Sequence, residues 1–216
     1  MRIDMHTHTK HSSDGLSRPE RIVKYAEKKG LDGVAITDHN TTRGWKKALL
    51  EGNKRDILVI QGEEIIVTSE GKKVGELLGY FLNEPIKPGP IEEVIGAIRE
   101  QDGLISVSHP YDRHRGFKYL DSVATLVDAV EGFNARCFHQ SFNTKAQVFA
   151  KKHNLAVTGG SDAHFKFEVG NAWTEAKAST LEDFRKAILK RKTTVNGKLS
   201  GPMVRAYSWM GRLRKF

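Results

Sequence analysis

Residues 1–9 read MRIDMHTHT, a short segment in which apolar residues lead into a pair of histidines. We interpret Arg2–His8 as the first strand of the chain. Side chains two positions apart lie on the same face of a strand, so His6 and His8 present both imidazoles to one side. Two ligands of a single metal ion need this geometry, although a pair of surface histidines has the same pattern.

Outward from this segment, a short apolar strand, a polar turn and an amphipathic helix recur along the chain. Ser17, with Glu20 three residues later, is predicted to cap the first helix, and Thr180 with Asp183 to cap the last. Strands that alternate with helices of this length indicate an α/β protein with a parallel sheet or a barrel. The other predicted strands are Gly33–Thr37, Ile57–Val67 with Val74–Leu82 paired to it, Leu104–Ser108, Ala129–Phe133 and Leu155–Thr158, and helices are predicted near 17–30, 43–50, 91–98, 142–153 and 180–191.

The length and composition are those of one globular domain. The chain has 216 residues, and we expect one barrel in residues 1–200 followed by a basic tail in 201–216. Cys137 is the only cysteine, which excludes an internal disulfide and favours a reducing compartment. No apolar run approaches the roughly 18 residues of a membrane span, and the N-terminus has no apolar signal region. A cytoplasmic protein without a membrane partner is therefore expected.

The charge balance is positive, with a formal net charge of +9. This charge favours anionic partners, among them phosphorylated metabolites and nucleic acid. Lysines on solvated helix faces would give the same balance, so the charge alone does not choose between them. The tail, RAYSWMGRLRKF, is basic and aromatic, and it is expected to dock on the body, to bind an acidic partner or to form a disordered end. The sequence does not indicate the oligomeric state.

Side chains that bind metals follow the ends of the predicted strands. Taken singly, each has an ordinary explanation, such as a turn, a helix cap or a loop histidine. In a β/α barrel, however, the carboxyl ends of the strands open on one face, where active sites lie. Residues far apart in sequence would therefore converge there: His6 and His8, Asp38 and His39, Glu63 and Glu64, His109, Asn134 and Arg136, and Ser161, Asp162 and His164.

The types of side chain indicate the class of metal. A mixed set of imidazoles and carboxylates without thiolates suits zinc, manganese or iron, whereas calcium and magnesium prefer sites made of oxygen alone. So many ligands exceed what one tetrahedral ion uses, which implies at least two ions. Closely spaced ions activate a water molecule and neutralise charge on both the attacking and the leaving oxygen of a phosphoryl centre.

Taken together, these residues and their order along the chain resemble the PHP family, named for polymerase and histidinol phosphatase domains. The resemblance runs in order from residue 2 to about residue 175. It implies a distorted (β/α)7 barrel with a trinuclear metal site and the hydrolysis of phosphate esters. The segments that carry it are Asp4-x-His6-x-His8-Thr9, Ser13-Asp14-Gly15, Ile36-Thr37-Asp38-His39, Gly62-x-Glu64-Ile65, Leu77-Leu78-Gly79-Tyr80, Ser108-His109-Pro110, Val130-Glu131-x-Phe133-Asn134 and Gly160-Ser161-Asp162-Ala163-His164.

The resemblance implies how the ligands are divided among two or three divalent ions. His6, His8, Asp162 and a bridging Glu64 match the first site, Glu64 and His109 the second, and Asp14, His39 and His164 the third. The sequence departs from the family at one position, where the histidine that commonly precedes the Leu-Leu-Gly stretch is Glu76. A carboxylate at this position binds zinc, manganese or iron, or it leaves the second site weak or empty. Asp4 and Asp38 are expected to accept hydrogen bonds from ligand imidazoles.

The resemblance also implies a mechanism, in which a metal-activated hydroxide attacks the phosphorus of a phosphomonoester or phosphodiester. We assign Arg136 and His164 to the catalytic set, with the guanidinium of Arg136 contacting phosphate. Loop residues on the same face are expected to contact the substrate or the leaving oxygen: His11, Arg113, His114 and Arg115. The expected substrate is a phosphorylated metabolite, a nucleotide or a short oligonucleotide, with RNA or DNA ends included.

Two other functions remain open from the sequence. Metal-dependent amidohydrolases also have a His-x-His pair at the end of their first strand. Turnover of amides but not of phosphate esters would identify this class of enzyme. A nucleic-acid or partner-binding module with a degenerate site would use the basic charge and the tail residues Arg212, Arg214 and Lys215. Fewer than one metal ion per chain would favour the binding module.

Overall fold

A ten-stranded sheet organises the fold of the computed structural model, which describes residues 1–201 and Val204. Strands β1 (Arg2–Asp4), β2 (Gly33–Ile36) and β3 (Leu58–Ser69) lie parallel to one another. They are joined through helices α1 (Pro19–Lys28) and α2 (Trp45–Arg55), as parallel connections require. The carboxyl ends of β1 and β2 therefore lie at the same edge, beside the middle of β3.

The centre of the sheet changes direction at a hairpin. Strand β4 (Lys72–Tyr80) is antiparallel to both β3 and β6 (Leu104–Val107), and Ile66 lies opposite Glu76. The pairing predicted for this hairpin is confirmed. A two-residue strand β5 (Gly89–Pro90) and helix α3 (Ile91–Glu100) lead from β4 to β6.

Parallel pairing then resumes in strands β7 (Ala129–Asn134) and β8 (Ala156–Gly160). The short helix α4 (Leu120–Val123) precedes β7, and helix α5 (Gln140–His153) joins it to β8. The two ends of this series approach each other, because the backbone N–H of Met5 donates to the carbonyl of Gly159 at 3.2 Å. A Cβ at Gly160 would lie 2.4 Å from the Cβ of His6, so only glycine permits this approach. The sheet is thus a nearly closed barrel, and the predicted distorted β/α barrel is confirmed.

Two further strands extend the sheet beside β1 and were not predicted. Strand β9 (Ala172–Glu175) is antiparallel to β1 and to β10 (Thr194–Gly197), with helix α6 (Leu181–Leu189) between them. Each strand has only four residues, and β10 is mostly exposed. Such strands lack the alternation of apolar and polar residues on which prediction depends.

Alternate residues of each strand build two apolar layers. Ile3, Ala35 and Leu104 face one cluster, whereas Val34 and Ile105 face the other, which packs against the helices. Two-sided burial explains why β2 is continuously apolar and why Ser106 is the one polar residue of β6. The scaffold that carries the polar ends of the strands is therefore held from both sides.

Two local predictions are corrected by the structure. Ser17 does not cap α1, because Arg18 is the N-cap residue, Pro19 opens the helix, and the Ser17 hydroxyl accepts from Lys166 N at 2.8 Å. The first strand ends at Asp4 rather than His8, since the chain beyond it pairs only through a bridge between Thr7 and Ala163. The Thr180 cap is confirmed, with its hydroxyl accepting from Asp183 N at 3.1 Å.

Within residues 1–201 and Val204, no helix has the length and apolar character needed to cross a membrane. The expected basic tail, including Arg212, Arg214 and Lys215, lies outside the described residues apart from Gly201 and Val204.

Candidate metal centre

Glu64, on β3, lies at the centre of a group of imidazoles. Its Oε2 is 3.3 Å from Nε2 of His6, 3.3 Å from Nε2 of His8 and 3.0 Å from Nδ1 of His39. Its Oε1 is 3.2 Å from Nε2 of His109. A carboxylate with four imidazoles around it has the position of a bridge between metal ions.

The neighbouring Glu63 has a different environment, as expected for the next residue on a strand. Its Oε2 accepts from the backbone N–H of Ile86 at 2.8 Å, away from the imidazoles. Burial raises the pKa of Glu63 to about 7. The preference for Glu64 over Glu63 as the candidate ligand therefore agrees with the geometry.

Asp162 and Asp14 form the other side of the cluster. Asp162 Oδ1 is 3.4 Å from Nε2 of His8 and 3.4 Å from Nδ1 of His164. Asp14 Oδ1 is 3.0 Å from Nε2 of His164 and 3.6 Å from Nε2 of His39. These residues come from the loops that follow β1, β2 and β8, which explains how distant segments converge.

Glu76 also reaches the cluster, from the antiparallel strand β4. Its Oε2 is 3.4 Å from Nε2 of His109, and its Oε1 is 4.0 Å from Nδ1 of His39. The same Oε1 accepts from the ammonium of Lys73 at 2.8 Å. Among the residues that the structure describes, three sets have donor atoms within 4.8 Å of one another: His6 with His8 and Glu64; His8 with His39 and His164; and His39 with Glu64 and Glu76.

The cluster contains buried polar atoms whose hydrogen-bonding capacity is unused. Within the described part of the chain, Glu64 Oε2, Asp162 Oδ1 and His109 Nε2 have no hydrogen-bond partner, although all three are buried. Leaving such atoms unpaired costs free energy, so their retention calls for a ligand. Imidazole and carboxylate atoms that converge in this way fit a divalent cation.

Glu131, on β7, orients two of the imidazoles. Its Oε1 is 2.8 Å from Nδ1 of His6, which leaves Nε2 directed at Glu64. Its Oε2 accepts from the backbone N–H of His109 at 2.8 Å and from the Asn134 amide at 2.9 Å. Glu131 was given no role from the sequence, although an acidic residue inside an apolar strand is a sign of a functional residue.

The roles expected for Asp4 and Asp38 are corrected. Asp4 accepts from Ser161 Oγ at 2.6 Å and from the backbone N–H of Gly170 at 2.9 Å, and Asp38 accepts from Thr9 and from Ser12 Oγ at 2.8 Å. Neither carboxylate receives an imidazole N–H in the described hydrogen bonds. Asp38 acts one step further out, because Ser12 Oγ is also 3.0 Å from Nδ1 of His8.

The charges of the cluster are strongly coupled. Burial alone would lower the pKa of His8, but the nearby carboxylates of Asp162 and Glu64 raise it to about 9. Burial opposes ionisation of Asp162, yet the cations of Arg115 and His6 bring its pKa well below the usual value. Burial, with the nearby charges of His8 and Arg136, lowers the pKa of His164 to about 4. The Asp162 carboxylate is thus ionised at neutral pH, as a metal-binding carboxylate must be.

The backbone is strained at two of the candidate ligands. His109 has φ 26° and Asp162 has φ 54°, in the left-handed region that few residues other than glycine adopt. Each lies two residues beyond the end of its parallel strand, β6 or β8. Strain of this kind persists only where the surrounding structure holds it, and it is concentrated at functional sites.

The arginines predicted to contact phosphate lie in different environments. Arg136 is buried, with NH1 3.4 Å from the carbonyl of Asp162 and NH2 3.1 Å from the carbonyl of Val204. The guanidinium of Arg115 is one-third exposed, and its NH1 donates to Asp162 Oδ2 at 2.5 Å. Its contact with Asp162 was not predicted, because it depends on the loop after β6 folding over the end of β8.

The remaining predicted substrate contacts lie at the rim or beyond it. Arg113 is exposed. His11 is half-buried, its Nε2 has no hydrogen-bond partner among the described residues, and burial lowers its pKa. The structure therefore brings together the nine candidate ligands, but it does not bring Arg113 into contact with them.

The chain is similar in sequence and in fold to several known proteins. A family model described as PHP-associated matches residues 140–193. An uncharacterized protein of Methanocaldococcus jannaschii is 35% identical over 190 residues, covering 84% of this chain and 73% of that protein. A probable phosphatase of Caldicellulosiruptor bescii is 23% identical over 225 residues, covering 89% and 92% respectively. A solved structure from Bacteroides vulgatus, a two-domain protein containing a predicted PHP-like metal-dependent phosphoesterase, superposes with a TM-score of 0.77 at 20% identity, covering 98% of this chain and 69% of that one.

Proposed function

The chain belongs to the PHP family of hydrolases, and we propose that it hydrolyses phosphate esters of a small phosphorylated metabolite, a nucleotide or a short oligonucleotide. The observation that carries this proposal is the convergence of imidazoles and carboxylates on Glu64 and Asp162, whose free oxygens are buried. Neither a structural core nor a degenerate binding surface requires such a cluster.

The candidate ligands divide into three sets, two of which share Glu64, and these sets fit two or three ions of zinc, manganese or iron. When bound, such ions polarise a water molecule and neutralise charge on the phosphoryl oxygens. The first set is His6, His8, Glu64 and Asp162; the second is Glu64, Glu76 and His109; the third is Asp14, His39 and His164.

The protein's own groups position the ligands and the substrate. Glu131 fixes the orientation of the His6 ring, and Ser12 contacts the His8 ring. The partly exposed guanidinium of Arg115 is the cation best placed to contact a phosphate while remaining on Asp162. Arg136 donates to the backbone carbonyl of Asp162, and a contact with phosphate remains part of the proposal for this residue.

The test begins with metal-stripped protein, to which manganese, zinc or iron(II) is added back singly. We expect turnover of p-nitrophenyl phosphate to depend on added metal, and His8→Ala to remove it, because His8 contacts both Glu64 and Asp162. Val148→Ala, on the exposed face of α5, is the matched control. Activity retained in His8→Ala, or turnover of amides and lactones without phosphate esters, would contradict the proposal.

A further inference from the structure

An aromatic pair lies at the barrel face that carries the metal centre. The ring centroids of His114 and Phe138 are 6.1 Å apart with an interplanar angle of 64°, an edge-to-face contact. His114 comes from the loop after β6 and Phe138 from the loop after β7. Both residues are exposed, and Phe138 retains 52% of its accessible surface. An aromatic ring exposed at this face is the kind of side chain on which the base of a nucleotide stacks.

The chain connections hold this pair close to the metal centre. His114 directly precedes Arg115, whose guanidinium contacts Asp162 Oδ2 at 2.5 Å. Phe138 follows the buried Cys137 and Arg136, whose NH1 is 3.4 Å from the carbonyl of Asp162. Successive Cα atoms are about 3.8 Å apart, so each ring lies within a few residues of a contact to Asp162.

The same two loops combine aromatic rings with cations. Arg115 and Arg136 flank Asp162, and Arg113 is exposed one residue before His114. A planar ring next to guanidinium groups and a site for phosphoryl chemistry matches a ligand that carries both an aromatic base and a phosphate. Aromatic side chains stack on bases because every base has a π-face, and guanidinium groups contact phosphate oxygens.

We propose that Phe138 and His114 form a stacking platform for the nucleobase of a nucleoside phosphate whose phosphate group reaches the metal centre beside Arg115. This inference rests on the proposed phosphoesterase function and narrows its substrate to nucleotides, either free or at the end of a nucleic-acid strand. A sugar phosphate or an aliphatic phosphate has no group that would use the platform.

The experiment compares AMP with ribose 5-phosphate, which has the same sugar and phosphate but no base. We expect the wild-type chain with added manganese to have a higher kcat/KM for AMP. Phe138→Ala should reduce the ratio of the two kcat/KM values roughly 5- to 100-fold, as expected for loss of one base-stacking contact, mainly through KM for AMP. Phe138→Trp should preserve the ratio, and so should Val148→Ala, which removes an exposed apolar side chain on α5.

A second measurement makes the inference independent of turnover. Calorimetric titration of the full chain with AMP and with ribose 5-phosphate should show tighter binding of AMP, and Phe138→Ala should reduce the difference. An equal ratio in the wild type and Phe138→Ala, in both turnover and binding, would overturn the platform. If ribose 5-phosphate and AMP are hydrolysed equally well, the phosphoesterase stands and the platform fails. If neither is hydrolysed, turnover of p-nitrophenyl phosphate decides on the phosphoesterase function, and the difference in binding between AMP and ribose 5-phosphate decides on the platform.

A third substrate identifies the source of the base. A short single-stranded oligonucleotide with a 5′-phosphate presents the same terminal nucleoside phosphate as AMP. A larger effect of Phe138→Ala on the oligonucleotide than on AMP assigns the platform to strand ends, and the reverse assigns it to free nucleotides. No effect on either substrate counts against the platform.

Discussion

The two sides of the metal centre are built differently. On the Asp162 side, the candidate ligands are deeply buried and come from loops that follow parallel strands. On the Glu76 side, the carboxylate comes from an antiparallel strand and shares an oxygen with Lys73, whose side chain is half exposed. On the Asp162 side, every ligand position has the type of residue that the resemblance to the PHP family implies. The Glu76 side contains the one position at which the sequence departs from that family.

This difference indicates which side of the centre requires a metal ion for its stabilisation and which side binds one more weakly. Asp162 Oδ1 is buried without a hydrogen bond to any described residue, so it depends on a cation for its stabilisation. The Glu76 Oε1 atom already has the Lys73 ammonium beside it, whereas the Arg115 guanidinium contacts the other oxygen of Asp162, Oδ2. A metal ion on that side must compete with the ammonium of Lys73, which predicts one weaker site among two or three.

The largest expected effect follows from replacing Asp162 by alanine. The change removes a carboxylate that lies between His8 and His164, and it leaves Asp112 as the acidic partner of the Arg115 guanidinium. We expect phosphoesterase activity to fall by several orders of magnitude and at least one metal ion per chain to be lost, as measured by elemental analysis. The control is Asp121→Ala, which removes an exposed carboxylate on α4. Full metal content in Asp162→Ala would show that the cluster is not organised around this residue.

A smaller and more selective effect is expected from Glu76→Gln. The amide keeps the size of the side chain but removes the charge that faces His109 and His39. Only the weakest metal-binding step should be affected, with a loss of affinity of roughly 10- to 100-fold. Calorimetric titration of manganese or zinc into metal-stripped protein resolves the separate binding steps. If every step weakens equally, the two sides of the centre are not distinct.

The contrast between the two sides of the metal centre also explains which candidate ligands could be predicted from the sequence. The candidate ligands follow strand ends, and the carboxyl ends of parallel strands meet on one face, so the convergence of His8, His109 and Asp162 followed from the pattern. Glu76 sits inside an antiparallel strand, and only the resemblance drew attention to it.

Other features depend on three-dimensional contacts that local patterns do not encode. The hydrogen bond between Glu131 and His6 spans 125 residues, and the ion pair between Arg115 and Asp162 spans 47. Asp4 was expected to orient an imidazole, but its carboxylate oxygens accept hydrogen bonds from the backbone N–H groups of Ser161 and Gly170. Strands β9 and β10 were missed because four residues with partial exposure give no periodic signal.

The smallest expected effect, and the sharpest test of the contrast, is Lys73→Met. Methionine keeps a long side chain but removes the ammonium that lies 2.8 Å from Glu76 Oε1. A partly exposed ion pair contributes about 1 kcal/mol or less, which corresponds to at most roughly a fivefold change in an equilibrium constant. Because the ammonium competes with a metal ion for the same oxygen, its removal should strengthen the weakest metal-binding step by about that factor.

Lys72→Met is the matched control for this change, since Lys72 is the adjacent exposed residue on β4 and forms no described contact with Glu76. It removes the same charge from the same region, so any general effect of lowering the positive charge near the site appears in both variants. Tighter binding in Lys73→Met alone would show direct competition for the Glu76 carboxylate. Equal strengthening in both variants would attribute the effect to long-range electrostatics, and weaker binding in Lys73→Met would mean that Lys73 positions Glu76 for the metal rather than competing with it.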